Sequence, residues 1–375
     1  MSVRLLHTAD VHLGATFKVL GERGRDQARQ VRDTFARAIG LALEERVHAV
    51  LIAGDLFDSP PAARAQAAFV SEQLARLGEA RIPVCAIAGN HDALGEGSRG
   101  LWQALAARHP HLTVFGPDPQ VRVFPDCDLA VVGRSVASRL EASSPLAGFP
   151  PARPARFVVG LAHGSVQRPD LPARFGTIAP EDIARAGVDY LALGDWHSPT
   201  DVSSGGVTAW YSGAPEMIDL GEGNPGHVLL VTLPEPGRAD VEVRRVGRRR
   251  VERLVLDLGT SGGAEGVLQT IRRSAGPDVA LVVTLTGLVG VADRISVEAL
   301  REELEREFFR LEIRDESHLR PEAVDPDRYP ENTVLGRFVR RMREEIARRE
   351  GEERSLAEEA LLYGVGLLEE REGAR

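Results

Sequence analysis

Along the first 230 or so residues, apolar and polar positions come in blocks rather than in single alternation. Short apolar runs at 3–6, 49–52, 84–87, 157–159 and 190–193 each end near Gly, Ala or Thr and give way to a polar cluster. Runs of that length, rich in β-branched residues and apolar almost throughout, predict strands buried on both faces. Between them, 31–45 and 62–77 carry helical spacing, so the pattern predicts βα alternation with helices covering the sheets. Residues 116–156, rich in proline and glycine, are expected to form loops and shorter strands.

Pro234-Glu235-Pro236-Gly237 predicts a turn or a linker. Beyond it, strands at 253–257, 279–286 and 311–314 and helices at 264–273 and 297–308 predict a small separate α/β domain. Leu335, Phe338, Val339, Met342 and Ile346 fall on one stripe of a charged helix. Ser355-Leu356-Ala357-Glu358 has the form of a capping box opening a second helix, with Leu356, Ala360, Leu361, Leu367 and Leu368 as its apolar positions. The expected division is therefore 1–232, 240–322 and a helical hairpin at 325–375. The hairpin's stripe either docks on a partner helix or packs back on its own domain.

A chain of 375 residues is long enough for two to three domains. Its two cysteines exclude a disulfide scaffold, and Cys85, inside an apolar run, reads as a buried free thiol suited to a reducing compartment. No stretch approaches the roughly 18 apolar residues of a membrane span and the N-terminus lacks a signal-peptide core, so a cytoplasmic protein without membrane contact is expected. The net charge of -9 argues against a generic nucleic-acid binder, so an anionic substrate must be attracted locally. Lys18 is the only lysine, a bias of composition that also favours bidentate arginine contacts to phosphate.

The chemistry lies in the polar clusters that end the five runs. They are Asp10-Val11-His12, Gly54-Asp55, Gly89-Asn90-His91-Asp92, His163-Gly164 and Gly194-Asp195-Trp196-His197. Each offers a hard oxygen or an imidazole, and ligands of α/β sheets gather at the carboxyl ends of strands, so the five are expected to converge on one crevice. Asp, Asn and His together suit divalent manganese, iron or zinc, whereas the absence of cysteine from the set argues against a structural zinc site.

In this order, the clusters resemble the signature of the calcineurin-like metallophosphoesterases. Within that superfamily, 7–14, 53–58, 88–92 and 211–216 are most similar to the SbcD-type nuclease subunits of DNA double-strand-break repair complexes. The resemblance covers roughly 1–232 and implies a four-layer αββα sandwich, followed here by a small α/β domain like that group's DNA-capping domain and the helical hairpin. It implies two divalent metal ions, with manganese expected. Asp10, His12, Asp55 and His197 would hold one, and Asp55, Asn90, His163 and Asp195 the other. His91 would contact the scissile phosphate and stabilise charge or protonate the leaving oxygen, with Asp92 orienting it. The implied activity is exo- and endonucleolytic cleavage of DNA at double-strand ends, by a homodimer whose tail binds the coiled coil of an SMC-like ATPase.

One position departs from the pattern, since the family usually has histidine where this chain has Asp195. The substitution makes the centre one charge unit less positive. Either Asp195 holds its ion more firmly, favouring manganese or iron over zinc, or the second position is degraded and the protein is a weak enzyme or a scaffold for the ATPase. A phosphoesterase acting on a small phosphoester is the other alternative, against which 240–375 speak. Arg248, Arg249 and Arg250 are candidate contacts to backbone phosphates.

Overall fold

The computed structural model describes residues 2–139, 141, 143–149, 153–167, 176–221, 223–289, 295–319, 324 and 326–373. They form two compact units, Met1–Val251 and Glu252–Arg375. The first holds two six-stranded sheets. One contains β1 (Val3–Thr8), β2 (Ala49–Ala53), β3 (Val84–Ile87), β4 (Leu112–Val114), β11 (His227–Leu233) and β12 (Asp240–Arg245), in the order β12-β11-β1-β2-β3-β4. β1 to β4 run parallel, while β11 and β12 continue the sheet antiparallel. The other contains β5 (Gln120–Phe124), β6 (Leu129–Gly133), β7 (Phe157–His163), β8 (Tyr190–Gly194), β9 (Thr200–Asp201) and β10 (Thr208–Tyr211), in the order β5-β6-β7-β8-β10-β9.

The sheets pack face to face. Leu5, Leu51, Cys85 and Ile87 of one meet Val131, Val159, Leu161 and Tyr190 of the other in a single buried cluster. The alternate residues Val50 and Ile52 are as deeply buried on the opposite face, which explains why these runs carry no polar alternation. Helices α1 (Gly24–Glu44), α2 (Pro60–Glu79) and α3 (Arg99–Arg108) pack side by side, α3 against β4. On the far face of the second sheet, α4 (Pro180–Arg185) supplies Ile183 to a second buried cluster. This is the expected four-layer αββα arrangement. Cys85 and Cys127 are free, and no helix among the described residues is long and apolar enough to cross a membrane.

The boundary falls later than expected. Asp240–Arg245 pairs with β11 along its whole length, so the turn at 234–237 joins neighbouring strands of one sheet instead of linking domains. In the second unit, β13 (Arg250–Asp257), β14 (Gly276–Thr286) and β16 (Phe308–Asp315) form a sheet with α5 (Gly263–Arg272) and α6 (Val297–Leu304) around one core. β15 (Leu288–Val289) pairs with β17 (His318–Leu319), and α7 (Val334–Ala347) with α8 (Gly351–Gly373) make the hairpin. Its apolar stripe is its own core. Leu335, Val339 and Ile346 pack with Ala357, Leu361 and Val365, so this stripe is not the surface that meets a partner. Helix α8 starts at Gly351, four residues before the expected cap, and Ser355 instead bonds back to the Gly351 carbonyl. In consequence Leu356 is exposed and the buried face begins at Ala357. The side chain of Leu367 lies outside the described residues.

Two buried polar groups hold the first unit together. Glu216 is fully buried and its carboxylate accepts the Thr34 hydroxyl (2.7 Å) and the N–H groups of Met217 (3.0 Å), Arg248 (2.8 Å) and Arg249 (3.0 Å). It joins α1 to the loop that follows β12. Glu216→Ala strands these donors and is expected to destabilise the unit by at least about 3 kcal/mol, read as a lowered urea midpoint. Arg238→Ala, which removes only an exposed ion pair to Asp240, is expected to stay within about 0.5 kcal/mol.

His7 lies between the sheets, where its Nδ1 and the Tyr190 hydroxyl share a 2.8 Å hydrogen bond. Burial pushes its pKa from 6.5 down to about 3. Between those values the unfolded chain binds a proton that the folded one refuses, so stability is complete above pH 6.5 and falls as the pH falls. This group contributes a slope of about 1.4 kcal/mol per pH unit. His7→Asn is expected to flatten the stability profile between pH 6.5 and 5 by that amount, and an unchanged slope would mean that the native state takes up the proton.

Candidate metal centre

Every expected cluster follows the carboxyl end of a parallel strand. Asp10 and His12 follow β1, Asp55 follows β2, Asn90 and His91 follow β3, His163 ends β7, and Asp195 and His197 follow β8. The turns lock on one another through the backbone. Asp10 N–H donates to the Gly54 carbonyl at 3.1 Å, His12 N–H to the Asp55 carbonyl at 3.0 Å, and His91 N–H to Asp55 Oδ1 at 2.8 Å. Of the seven described non-glycine residues with positive φ, four are Asp10, His12, Asp55 and Asp195. Such backbone costs on the order of 1–3 kcal/mol per residue and persists where its surroundings over-determine it. The glycines of two motifs have a steric reason. A Cβ on Gly54 would lie 2.3 Å from His163 Nδ1, and one on Gly89 would lie 2.3 Å from Asp55 Oδ1.

Among the described residues, three groups of donor atoms come within 4.8 Å of one another: Asp10 with His12 and His197, Asp10 with Asp55 and His163, and His12 with Asp58 and His91. His12 is the most informative. Both its ring nitrogens are buried without a hydrogen-bond partner, an arrangement that is costly unless an ion takes one of them. One faces Asp55 Oδ2 at 3.8 Å and the other Asp58 Oδ1 at 3.7 Å. His163 makes the same point. Its Nδ1 donates to the Ala53 carbonyl at 2.9 Å, so Nε2 confronts Asn90 Oδ1 at 2.8 Å and Asp55 Oδ2 at 3.5 Å. Burial would lower its pKa, but Asp55, then Asp10 and Asp195, raise it well above 6.5. That point of the site demands positive charge, as a proton or as a metal ion.

Burial raises the pKa of Asp10. Burial acts the same way on Asp55, yet the charge and hydrogen bond of His163 bring its carboxyl below the usual range. The donor set of carboxylates, imidazoles and an amide oxygen therefore fits divalent cations of intermediate hardness.

The structure reassigns three expected residues. Asp92 does not orient His91: its oxygens accept the N–H groups of Gly89 (2.7 Å) and Phe57 (3.2 Å), clamping the turn, while burial and the neighbouring Asp55 charge push its pKa up to about 7. His91 Nδ1 instead donates to the Asp58 carbonyl at 3.1 Å. The Asp195 carboxylate is in none of the three groups and accepts the Ser165 hydroxyl. Arg249 is only 4% exposed and pairs with Asp26, so it is a structural residue, whereas Arg248 and Arg250 are exposed. Two further residues at the site have no role assigned from the sequence. They are Asp58, which lies within the 53–58 stretch, and Arg139, whose guanidinium donates to the carbonyls of Asn90 (2.9 Å) and His91 (3.2 Å).

Paired sheets with carboxylate and imidazole donors at their carboxyl ends define a metallophosphoesterase, and the calcineurin-like phosphoesterase family matches residues 3–141. The DNA double-strand break repair protein Mre11 of Aeropyrum pernix is 30% identical over 301 residues, covering 72% of this chain and 69% of that protein. Mre11 of Haloferax volcanii is 30% identical over 284 residues, covering 76% and 61%, and the uncharacterized metallophosphoesterase YhaO of Bacillus subtilis is 27% identical over 233 residues, covering 60% and 56%. The chain thus spans about three fifths of the length of the last two. It belongs to the Mre11 family of calcineurin-like phosphoesterases.

Proposed function

We propose that this protein hydrolyses DNA phosphodiesters at double-strand ends in a reaction that needs divalent metal, manganese above zinc, as the nuclease subunit of a repair complex. The convergence of Asp10, His12, Asp55, Asn90, His163 and His197 from five strand ends, with both nitrogens of His12 left bare, carries the reading. Asp10, His12, Asp55 and His197 would hold one ion, and Asp55, Asn90 and His163 the other. Bound there, the ions polarise phosphoryl oxygens and lower the pKa of water. His91 is anchored through Nδ1, which leaves Nε2 to give a proton to the leaving oxygen. Arg139 and Asp92 hold the turn that aims it.

The names of the repair relatives support DNA as substrate. The resemblance alone supports a homodimer and an SMC-like coiled-coil ATPase as partner, which a pull-down with and without 325–375 tests. Arg248 and Arg250 would contact phosphates. Replacing both with glutamine is expected to flatten the dependence of DNA affinity on salt, by about one unit of log–log slope for each phosphate no longer neutralised.

The decisive experiment incubates end-labelled linear duplex DNA with manganese, with and without a chelator. Cleavage abolished by the chelator is expected. Hydrolysis of a small phosphoester without any cleavage of DNA would overturn the choice of substrate.

A further inference from the structure

Asp195 is held at both ends. Its backbone lies at φ 106°, and its N–H donates to both carboxylate oxygens of Asp10, at 3.0 and 3.2 Å. Its own Oδ2 accepts the Ser165 hydroxyl. The main chain thus reaches into the donor cluster while the carboxylate stays out of it.

Ser165 is itself fixed from both sides. The buried Tyr211 hydroxyl donates to the Gly164 carbonyl at 2.7 Å and accepts the Val166 N–H at 2.8 Å, gripping the peptides before and after Ser165. The Ser165 carbonyl accepts the Ile178 N–H at 2.9 Å. With its backbone pinned at three points, the hydroxyl can follow Asp195 inward only by changing rotamer. Turning the carboxylate toward the cluster therefore strains or breaks the bond to Ser165. It also brings a third anion toward Asp10 and Asp55, two buried carboxylates that already repel each other.

The geometry points to Ser165 as a positioning residue that latches Asp195 outside the cluster, leaving the set of Asp55, Asn90 and His163 one anionic ligand short. The two positions of the centre then fill unequally, the second only at higher free metal. This inference rests on the metal-centre reading above. It also differs from both earlier expectations for Asp195: the carboxylate neither strengthens the second position nor is lost from it, but is kept in reserve by a hydroxyl.

Calorimetric titration of the full chain with manganese chloride, with ions counted by native mass spectrometry, tests it without reference to activity. Wild-type protein is expected to bind two ions in separate steps. Ser165→Ala frees the carboxylate and is expected to tighten the second step by about tenfold or more, the scale on which outer hydrogen bonds tune metal affinity. Ser165→Thr keeps the hydroxyl and the wild-type second step. Asp195→Ala removes a nearby negative charge but no ligand and is expected to weaken that step by less than about tenfold. Weakening in both Ser165→Ala and Asp195→Ala would mean that Asp195 binds metal while held by Ser165, and would overturn the latch, as would a second step indifferent to Ser165→Ala. Wild-type protein that binds no manganese would instead remove the metal centre, and the latch with it.

Discussion

Asp55→Asn is expected to remove tight divalent-metal binding and to lower phosphodiester hydrolysis by about a thousandfold or more, several kcal/mol of activation free energy. The Asp55 carboxylate faces an imidazole from each half of the centre. One oxygen of Asp55 lies 3.5 Å from His163 Nε2 and 3.8 Å from His12 Nε2, while the other accepts the His91 N–H. Asparagine keeps the size and one carbonyl acceptor but removes the negative charge shared by the two imidazoles. Metal content after dialysis, measured beside the rate, separates this result from misfolding. A variant that retains two tightly held ions would show that Asp55 is not the shared ligand.

His91→Ala is expected to lower turnover by about 10²- to 10⁴-fold with metal binding intact. The ring is anchored by one nitrogen on the Asp58 carbonyl and packs edge-on against His12, with ring centroids 4.6 Å apart, so its remaining nitrogen has a defined direction. In the proposed role it protonates a poor leaving oxygen, so the expected loss depends on that oxygen. With a bis(nitrophenyl) phosphodiester, whose leaving group departs as a stable anion, His91→Ala is expected to lose less than about tenfold. Equal losses on DNA and on the activated ester would argue that His91 stabilises charge on the phosphate and donates no proton.

The strand-end clusters were legible because chemistry and punctuation coincide there: an apolar run stops and a carboxylate, amide or imidazole stands within four residues of its end. What escaped the sequence depends on neighbours brought in from elsewhere. Arg249 is one of a row of arginines, and only Asp26 on α1 and Glu216 make it a buried strut. Asp92 looks like a partner for the adjacent His91, yet its oxygens are taken by Gly89 and by Phe57, which lies 35 positions away. Ser165 carries no motif, and its meaning arises from Asp195 across a neighbouring strand. The stripe on α7 was correctly apolar, but periodicity gives a face without its occupant, and the occupant is α8. Asp240–Arg245 was assigned beyond the break because a Pro-Gly turn reads alike within a sheet and between domains.

The Asp10 carboxylate meets the N–H of a residue 185 positions further along the chain. Closing loops of that length is among the slower acts of folding, and it is productive only once both sheets are in register. During synthesis the Asp10 carboxylate therefore waits for at least 185 further residues before it gains this neighbour. Any intermediate lacking the second sheet has Asp10 and Asp55 but neither His163 nor His197 in place, so the proposed metal centre stays incomplete until that sheet forms.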